Sequence, residues 1–186
     1  MLAAALLLAA SLPTQTVAIG AGWCACFSDN DHVESDIKLA YVGHVRAQYD
    51  HRVWRGMYLG VTAAGEYVSR FNTQPGVALF GPVFVLRSGG DVSASLRVAG
   101  GGAYANDARW RTSREPRNEH TFGWFLDASI EIAAKVSKDL DVFVDLSMLS
   151  FRNLKYRHAY PPGVPSWGYF SAVVPMMLAV GVRYSL

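Results

Sequence analysis

The sequence predicts an all-β chain that closes into a transmembrane antiparallel up-and-down β-barrel of about 8–10 strands. Hydrophobic residues make up 51% of the chain and charged residues only 17%, whereas a soluble domain carries about 25% charged residues. No apolar run reaches the roughly 20 residues that a transmembrane helix needs. Several long segments instead alternate between apolar and polar residues. Such strands can turn their apolar residues toward lipid without any long helix, which favours the barrel.

The chain is interpreted as one barrel domain, residues 1–186, in which residues 1–18 allow two interpretations. Leu2–Leu12 is apolar enough to be the core of a signal peptide, with Thr16-Val17-Ala18 as its cleavage site. Alternatively, this region contains a remnant first strand over Leu2–Ala10. The second interpretation makes nine strands readable, and it implies an N-terminal truncation because bacterial barrels usually have an even number of strands.

The following segments carry the period of two residues that is typical of strands. The clearest are Gln15–Phe27, Asp36–Tyr49, His120–Val136, Leu140–Ser150 and Phe170–Leu186. In the fourth, for example, Val142 and Val144 alternate with Asp141 and Asp145, so that one face is apolar and the other polar. Soluble strands average about 5–6 residues. The greater length of these segments favours a membrane barrel over the alternative of a soluble lipocalin-like or sandwich protein.

The polar faces are expected to line the barrel interior, where opposite charges neutralise one another. The expected interior charges are Asp127, Glu131, Asp141, Asp145, Lys38, Arg46 and Arg97, and His44 is expected in the lumen. Aromatic residues near the strand ends suit the two interfacial girdles of a membrane protein. These residues are Tyr41, Tyr49, Trp54, Phe71, Trp124, Tyr169 and Tyr184.

Short and long connections alternate along the chain, as expected for periplasmic turns and extracellular loops. The short ones are Asp50–Val53, Ser88–Gly90 and Ser137–Asp139, and the long ones are Ser28–Ser35, Asn72–Gly76, Asn106–Glu119 and Leu154–Ser166. Two long connections are basic, with Arg111, Arg114, Arg117, Arg152, Lys155, Arg157 and His158. Lipopolysaccharide phosphates are a natural partner for this charge. Function is expected in the loops and on the inner face near them.

Four motifs, taken in order, suggest a family. They are Gln15–Trp23, Asp29-Asn30-Asp31, the Gly- and aromatic-containing segment Ala64–Phe71, and Asn106–Trp110, which reads Asn-Asp-Ala-Arg-Trp. In this order the chain resembles the omptins, which are ten-stranded outer-membrane endopeptidases. The resemblance covers essentially the whole chain, but an omptin has one more strand before it.

The resemblance implies a catalytic site in the outer loops. By position, Asp29 and Asp31 correspond to the omptin carboxylate pair, and Asp107 corresponds to the residue that orients the catalytic histidine. The histidine position itself is occupied by Arg109. A guanidinium stays protonated at any working pH and cannot act as a general base. The resemblance therefore implies an aspartic-type endopeptidase that cleaves peptide substrates at basic sites, and Arg109 leaves its activity open.

The alternative is a non-enzymatic small outer-membrane barrel, which would be an adhesin, a structural protein or a narrow pore. Either function predicts a monomer in the bacterial outer membrane, with outer-membrane lipid and lipopolysaccharide as partners. No cofactor or metal site is expected, and Cys24 and Cys26 are interpreted as packing residues. The net charge of +2 is too small to suggest a nucleic-acid partner.

Overall fold

The computed structural model describes residues 12–29, 38–69, 76–107, 119–159, 165–173 and 177–186 as a single antiparallel sheet. Its strands are β1 (Gln15–Asp29), β2 (Lys38–Trp54), β3 (Met57–Ser69), β4 (Gly76–Arg87), β5 (Val92–Asp107), β6 (Glu119–Lys135), β7 (Leu140–Ala159), β8 (Pro165–Val173) and β9 (Met177–Ser185). Within these ranges, no helix is long and apolar enough to cross a membrane.

The sheet closes on itself, because β1 pairs with β2 on one side and with both β8 and β9 on the other. β8 and β9 also share one neighbour on their other side, β7. β8 and β9 therefore share one strand position in the barrel wall, and the nine strands fill eight strand positions around the barrel. Closure leaves no free sheet edge in the hydrocarbon, where unpaired backbone groups would be costly.

The strand register fixes the size of the barrel. Cα partners lead once around it through Ile19, Ala47, Ala63, Phe80, Gly102, Trp124, Asn153, Ser171 and Asp29. The path returns to β1 ten residues above its start, because 29 − 19 = 10. With eight strand positions and about 4.8 Å between neighbouring strands, this shift corresponds to a strand tilt of about 40°. Side chains can fill the interior of an eight-stranded barrel of this kind.

The predicted alternation of faces is confirmed where side chains are described. On β1, Val17, Ile19 and Trp23 are exposed, whereas Thr16 and Ala18 are buried. The apolar outer face continues through β2, β6, the first half of β7, and β9. Aromatic residues on this surface include Tyr49, Trp54 and Tyr184 near one end and the ring pairs Trp124–Phe151 and Tyr104–Phe122 near the other. This is the surface that a lipid environment requires.

The connections also divide as predicted, with one correction. Residues 88–91 and 136–139 form short turns at one end, called the turn end. The strand ends that flank residues 30–37, 70–75, 108–118 and 160–164 lie at the other, called the loop end. The predicted turn at Asp50–Val53 is wrong, because these residues lie inside β2 and the chain reverses at Arg55–Gly56, with Arg55 at a positive φ of 37°. Asp50 is buried and hydrogen-bonded rather than solvated.

Two further expectations differ from the structure. β7 runs to Ala159 and so occupies half of the connection predicted over Leu154–Ser166. The strand expected over Phe170–Leu186 is described as β8 and β9, whose registers against β1 differ by one residue. The possible strand Leu2–Ala10 lies outside the described residues. Gln15–Ala18 belong to β1, so cleavage after Ala18 would remove one end of that strand.

Candidate functional site: the charged lumen and the loop end

The barrel interior carries balanced buried charge. The described residues include five buried arginines, Arg46, Arg87, Arg97, Arg152 and Arg183, and five buried carboxylates, Asp50, Glu66, Asp127, Glu131 and Asp145. Isolated charges are very costly to bury, so such groups need ion pairs and hydrogen bonds. The pairs lie at three levels between the loop end and the turn end.

The level nearest the loop end is centred on Arg152. Its guanidinium forms a close ion pair with Glu66 and donates a second hydrogen bond from Nη1 to Asp127 Oδ1 at 2.5 Å. Ser150 Oγ donates to the same Asp127 oxygen at 2.6 Å. His44 Nδ1 lies 3.5 Å from Glu66 Oε1. This cluster ties β2, β3, β6 and β7 together across the lumen.

The middle level is built around an aromatic ring. Arg46 forms a close ion pair with Asp145, and Arg183 forms another with Glu131. Both guanidinium groups lie over the ring of Phe143, at 5.8 and 5.7 Å from its centroid. The ring fits because β9 has a glycine beside it: a Cβ at Gly181 would lie 2.3 Å from Phe143 Cζ.

The third level closes the turn end. Arg87 Nη2 donates to Asp50 Oδ2 at 3.2 Å, and the Arg87 guanidinium lies 4.5 Å above the Tyr58 ring. The residues that precede β1 contact this level. Tyr58 Oη donates to the Pro13 carbonyl at 2.9 Å, and Leu12 packs against the apolar core. Leu12 and Pro13 therefore contact lumen side chains at the turn end.

One wall of the lumen is apolar rather than charged. Val77, Leu79, Val83 and Val85 of β4 are each at most 4% exposed and pack with small residues of β5 and with Phe125. Arg97 approaches this wall and is held by neutral groups, since its Nε donates to Gln48 Oε1 at 2.7 Å. A pocket of about 300 Å³, open solvent included, lies beside Arg46, Arg97, Asp127, Ser129 and Asp145. Around it, ion pairs and apolar side chains occupy the described part of the lumen.

The interior predictions are confirmed for most residues. Asp127, Glu131, Asp145, Arg46 and Arg97 are buried, as is His44. Asp141 is half-buried, and the side chain of Lys38 lies outside the description. Five further charged residues are interior although the sequence pattern did not predict them there: Asp50, Glu66, Arg87, Arg152 and Arg183.

Arg152 was expected with the basic long connections, and a β-bulge explains why it lies in the lumen instead. The β6–β7 register shifts between Ala128 and Ser129, which inserts an extra residue into β7 and exchanges its faces. Met148 and Leu149 are consequently both exposed, at 60% and 43%, whereas Arg152 is buried. The adjacent apolar residues Met148 and Leu149, in a strand that otherwise alternates, were the sequence signal from which this bulge could have been predicted.

The structure places two of the four residues that the family resemblance suggests as catalytic. Asp29 ends β1 opposite Ser171, and Asp107 ends β5 opposite Glu119. β1 and β5 are four strand positions apart in a barrel of eight, so the two strand ends lie on opposite sides of a mouth about 16 Å wide. Asp31 and Arg109 lie outside the described residues. The catalytic assignment of all four residues stays a prediction.

Comparisons with known proteins identify the fold. No family model matches the chain, and no curated protein sequence matches it. Neisserial surface protein A is similar in structure, with a TM-score of 0.59 and 11% identity, over 91% of this chain and 97% of that chain. Ail, the attachment invasion locus protein of Yersinia pestis, has a TM-score of 0.52 and 10% identity, over 93% and 100%.

A second structure of Ail, in complex with the heparin analogue sucrose octasulfate, has a TM-score of 0.51 and 12% identity, over 91% and 99% of the two chains. At these identities the similarity shows the fold alone. That fold is the closed barrel of bacterial outer-membrane proteins, so the predicted β-barrel is confirmed, and its outer-membrane location follows from the fold.

Proposed function

We propose that the chain is a non-enzymatic outer-membrane barrel that uses its loop end for attachment at the cell surface. The observation that carries this proposal is the filling of the lumen. Three levels of ion pairs and an apolar wall occupy the described part of the interior, and Leu12 and Pro13 contact it at the turn end. A barrel filled in this way is a poor pore, which favours a function outside the lumen.

The strand lengths support the same assignment. β6 and β7 have 17 and 20 residues, whereas a tilted strand crosses a bilayer in about 9–11. The pairs Trp124–Phe151 and Tyr104–Phe122 mark the interface, and both strands continue beyond them. The ends of β6 and β7 therefore stand above the membrane, where a partner can reach them. Ail, which is named for attachment, is a barrel of similar fold.

Polyanions are the proposed partner class, with lipopolysaccharide phosphates as the nearest example. The connection between β5 and β6 contains Arg111, Arg114 and Arg117, and the end of β7 contains Lys155 and Arg157. Guanidinium groups bind phosphate and sulfate in bidentate fashion. The bound heparin analogue in Ail shows that a barrel of this fold can take a sulfated ligand.

The test is attachment of vesicles that carry the barrel to immobilised cell-surface glycans or host cells. The triple variant Arg111→Ser, Arg114→Ser, Arg117→Ser is expected to lose most attachment. A matched control removes three exposed cations from the turn end, Arg55→Ser, Lys135→Ser and Lys138→Ser, and should attach normally. Equal loss in both triple variants, or no attachment by the unmodified barrel, would contradict the proposal.

Omptin-like proteolysis is the second candidate. It is favoured by one observation, the position of Asp29 and Asp107 on opposite walls of the mouth. The test is cleavage of a peptide with paired basic residues by the refolded barrel with lipopolysaccharide, beside an Arg109→His variant. Cleavage that appears or rises with Arg109→His and disappears with Asp107→Asn would support this candidate. Activity that survives Asp31→Asn and Asp107→Asn would exclude the assigned site.

A further inference from the structure

The pairing between β6 and β7 stops before either strand ends. The last pair toward the loop end is Gly123 with Leu154. β6 continues for four residues, Glu119–Phe122, which pair with β5 only. β7 continues for five residues, Lys155–Ala159, which pair with β8 only. Above this point the barrel wall divides into two ribbons, β5–β6 and β7–β8.

This junction differs from the others at the loop end. Across the described ranges, β1–β2, β4–β5, β5–β6 and β7–β8 are paired to within a residue of their ends. At β2–β3, β3–β4 and β8–β1, one strand ends where pairing ends. Among the strand pairs that the structure describes, only β6 and β7 both continue as strands while the ladder between them stops. We call this gap, bounded by Glu119–Phe122 and Lys155–Ala159, the β6–β7 slot.

The slot begins at the membrane interface and extends from there to the water side. Trp124 is one residue below the last pair, and its ring centroid lies 5.0 Å from that of Phe151. The ring centroids of Phe122 and Tyr104 lie 5.2 Å apart, and Phe122 is 72% exposed. Aromatic pairs of this kind mark the headgroup level. Unpaired strand edges are excluded from hydrocarbon but are templates for another strand in water.

From this geometry we infer that the β6–β7 slot binds an extended, acidic peptide segment of a partner protein by strand addition. The backbone edges supply hydrogen bonds in both directions, as in other strand-addition sites. The β7 edge reads Lys-Tyr-Arg-His-Ala and the β6 edge reads Glu-His-Thr-Phe. The two edges together carry two permanent cations and one carboxylate, and this excess of positive charge favours carboxylates on the guest strand. The inference rests on the proposed attachment function, because it names a partner chemistry for the loop end.

Two other occupants are disfavoured by the same residues. A second copy that paired through its own β7 edge would bring its Lys155 and Arg157 close to the same two cations of the first copy, and like charges across strands are destabilising. A sulfated glycan can use the cations but gains nothing from the backbone edges. Backbone hydrogen bonding, rather than charge, is therefore the reason that the slot prefers a peptide to a glycan.

The first experiment uses a fluorescent peptide of about eight residues that alternates Glu and Val. It is titrated against the whole barrel in nanodiscs, with folding verified by heat-dependent gel mobility. The matched control peptide carries N-methyl groups on alternate residues, which keeps its charge but blocks one hydrogen-bonding edge. We expect the control to bind at least tenfold more weakly. The variant Lys155→Glu with Arg157→Glu is expected to weaken the unmodified peptide by a similar factor.

The second experiment closes the slot. Continuing the β6–β7 register by two residues from Gly123 and Leu154 would place Thr121 opposite Tyr156. A Thr121→Cys, Tyr156→Cys variant, made with Cys24→Ser and Cys26→Ser, can join the edges by a disulfide. Oxidation should abolish peptide binding, and reduction should restore it in the same sample, which shows that the barrel remained folded.

Three results would overturn the inference. Equal binding of the N-methylated peptide would show that charge alone acts, and dimers that form without peptide would make a second copy the occupant. Absence of peptide binding by a folded barrel would mean that the cations only protect the edge. Glycan attachment is measured separately, so a barrel that attaches but ignores the peptide keeps the proposed function and loses the slot.

Discussion

The inner faces of β4 and β7 fill the same lumen by opposite means. β4 contributes Val77, Leu79, Val83 and Val85, which pack as an ordinary apolar core. β7 contributes Asp145 and Arg152 to ion pairs with other strands. Truncating an apolar side chain lowers stability roughly in proportion to the atoms removed. Removing one partner of a buried ion pair instead leaves the other charge buried without a partner, which is strongly destabilising. The two walls should therefore respond differently to truncation, and only the ionic wall should be rescued by a second change.

The largest effect is expected at the centre of the loop-end cluster. Arg152→Met leaves both Glu66 and Asp127 buried without their shared cation, so we expect the free energy of unfolding to fall by about 3–5 kcal/mol. The measurement is urea-induced unfolding in detergent micelles or thin bilayers. Adding Glu66→Gln and Asp127→Asn to the variant should recover most of the loss. No recovery would show that Arg152 acts mainly through packing.

A smaller effect is expected on the apolar wall. Leu79→Ala removes buried methyl groups from β4 and should destabilise the barrel by about 2–4 kcal/mol, because the rigid wall cannot collapse into the space. The same unfolding titration measures it. Leu79→Met, which nearly conserves volume, should cost less than about 1.5 kcal/mol. If Leu79→Met costs as much as Leu79→Ala, β4 is not packed as described.

The smallest effect is expected at the turn end. Tyr58→Phe removes the hydrogen bond to the Pro13 carbonyl and keeps the ring below Arg87. The barrel should lose about 1 kcal/mol. Limited proteolysis should cut the segment before β1 faster, because its contact with the barrel is weakened. An unchanged cleavage rate would contradict a latching role for Tyr58.

The same contrast explains what could be predicted from the sequence. Strands with one apolar face, such as β6, were placed within a few residues, because a period of two is visible whenever the two faces differ. β4 has no such signal, since both of its faces are apolar, and its position was implied only by the connections around it. Arg152 was misplaced because a bulge exchanged the faces of β7, and Asp50 was misplaced because aspartate is common in turns.

The candidate site was less predictable than the fold. Asp29 and Asp107 do end opposite strands, yet the sequence could not indicate that Glu66, Asp127 and Arg152, from three distant segments, converge beneath the loop end. Ion pairs across a lumen depend on register and barrel closure, which link residues up to 99 positions apart. The β6–β7 slot has no sequence signal, because it is a place where pairing stops.

The most direct test of a closed, ion-paired lumen is the conductance of the purified barrel in a planar bilayer. We expect no discrete channel openings for the unmodified chain in symmetric salt. We expect openings for Arg46→Ser combined with Arg87→Ser, Arg152→Ser and Arg183→Ser, which removes the arginine from the ion pairs of all three levels. Steady single-channel currents through the unmodified barrel would contradict a closed lumen and would favour a narrow pore as the function of this chain.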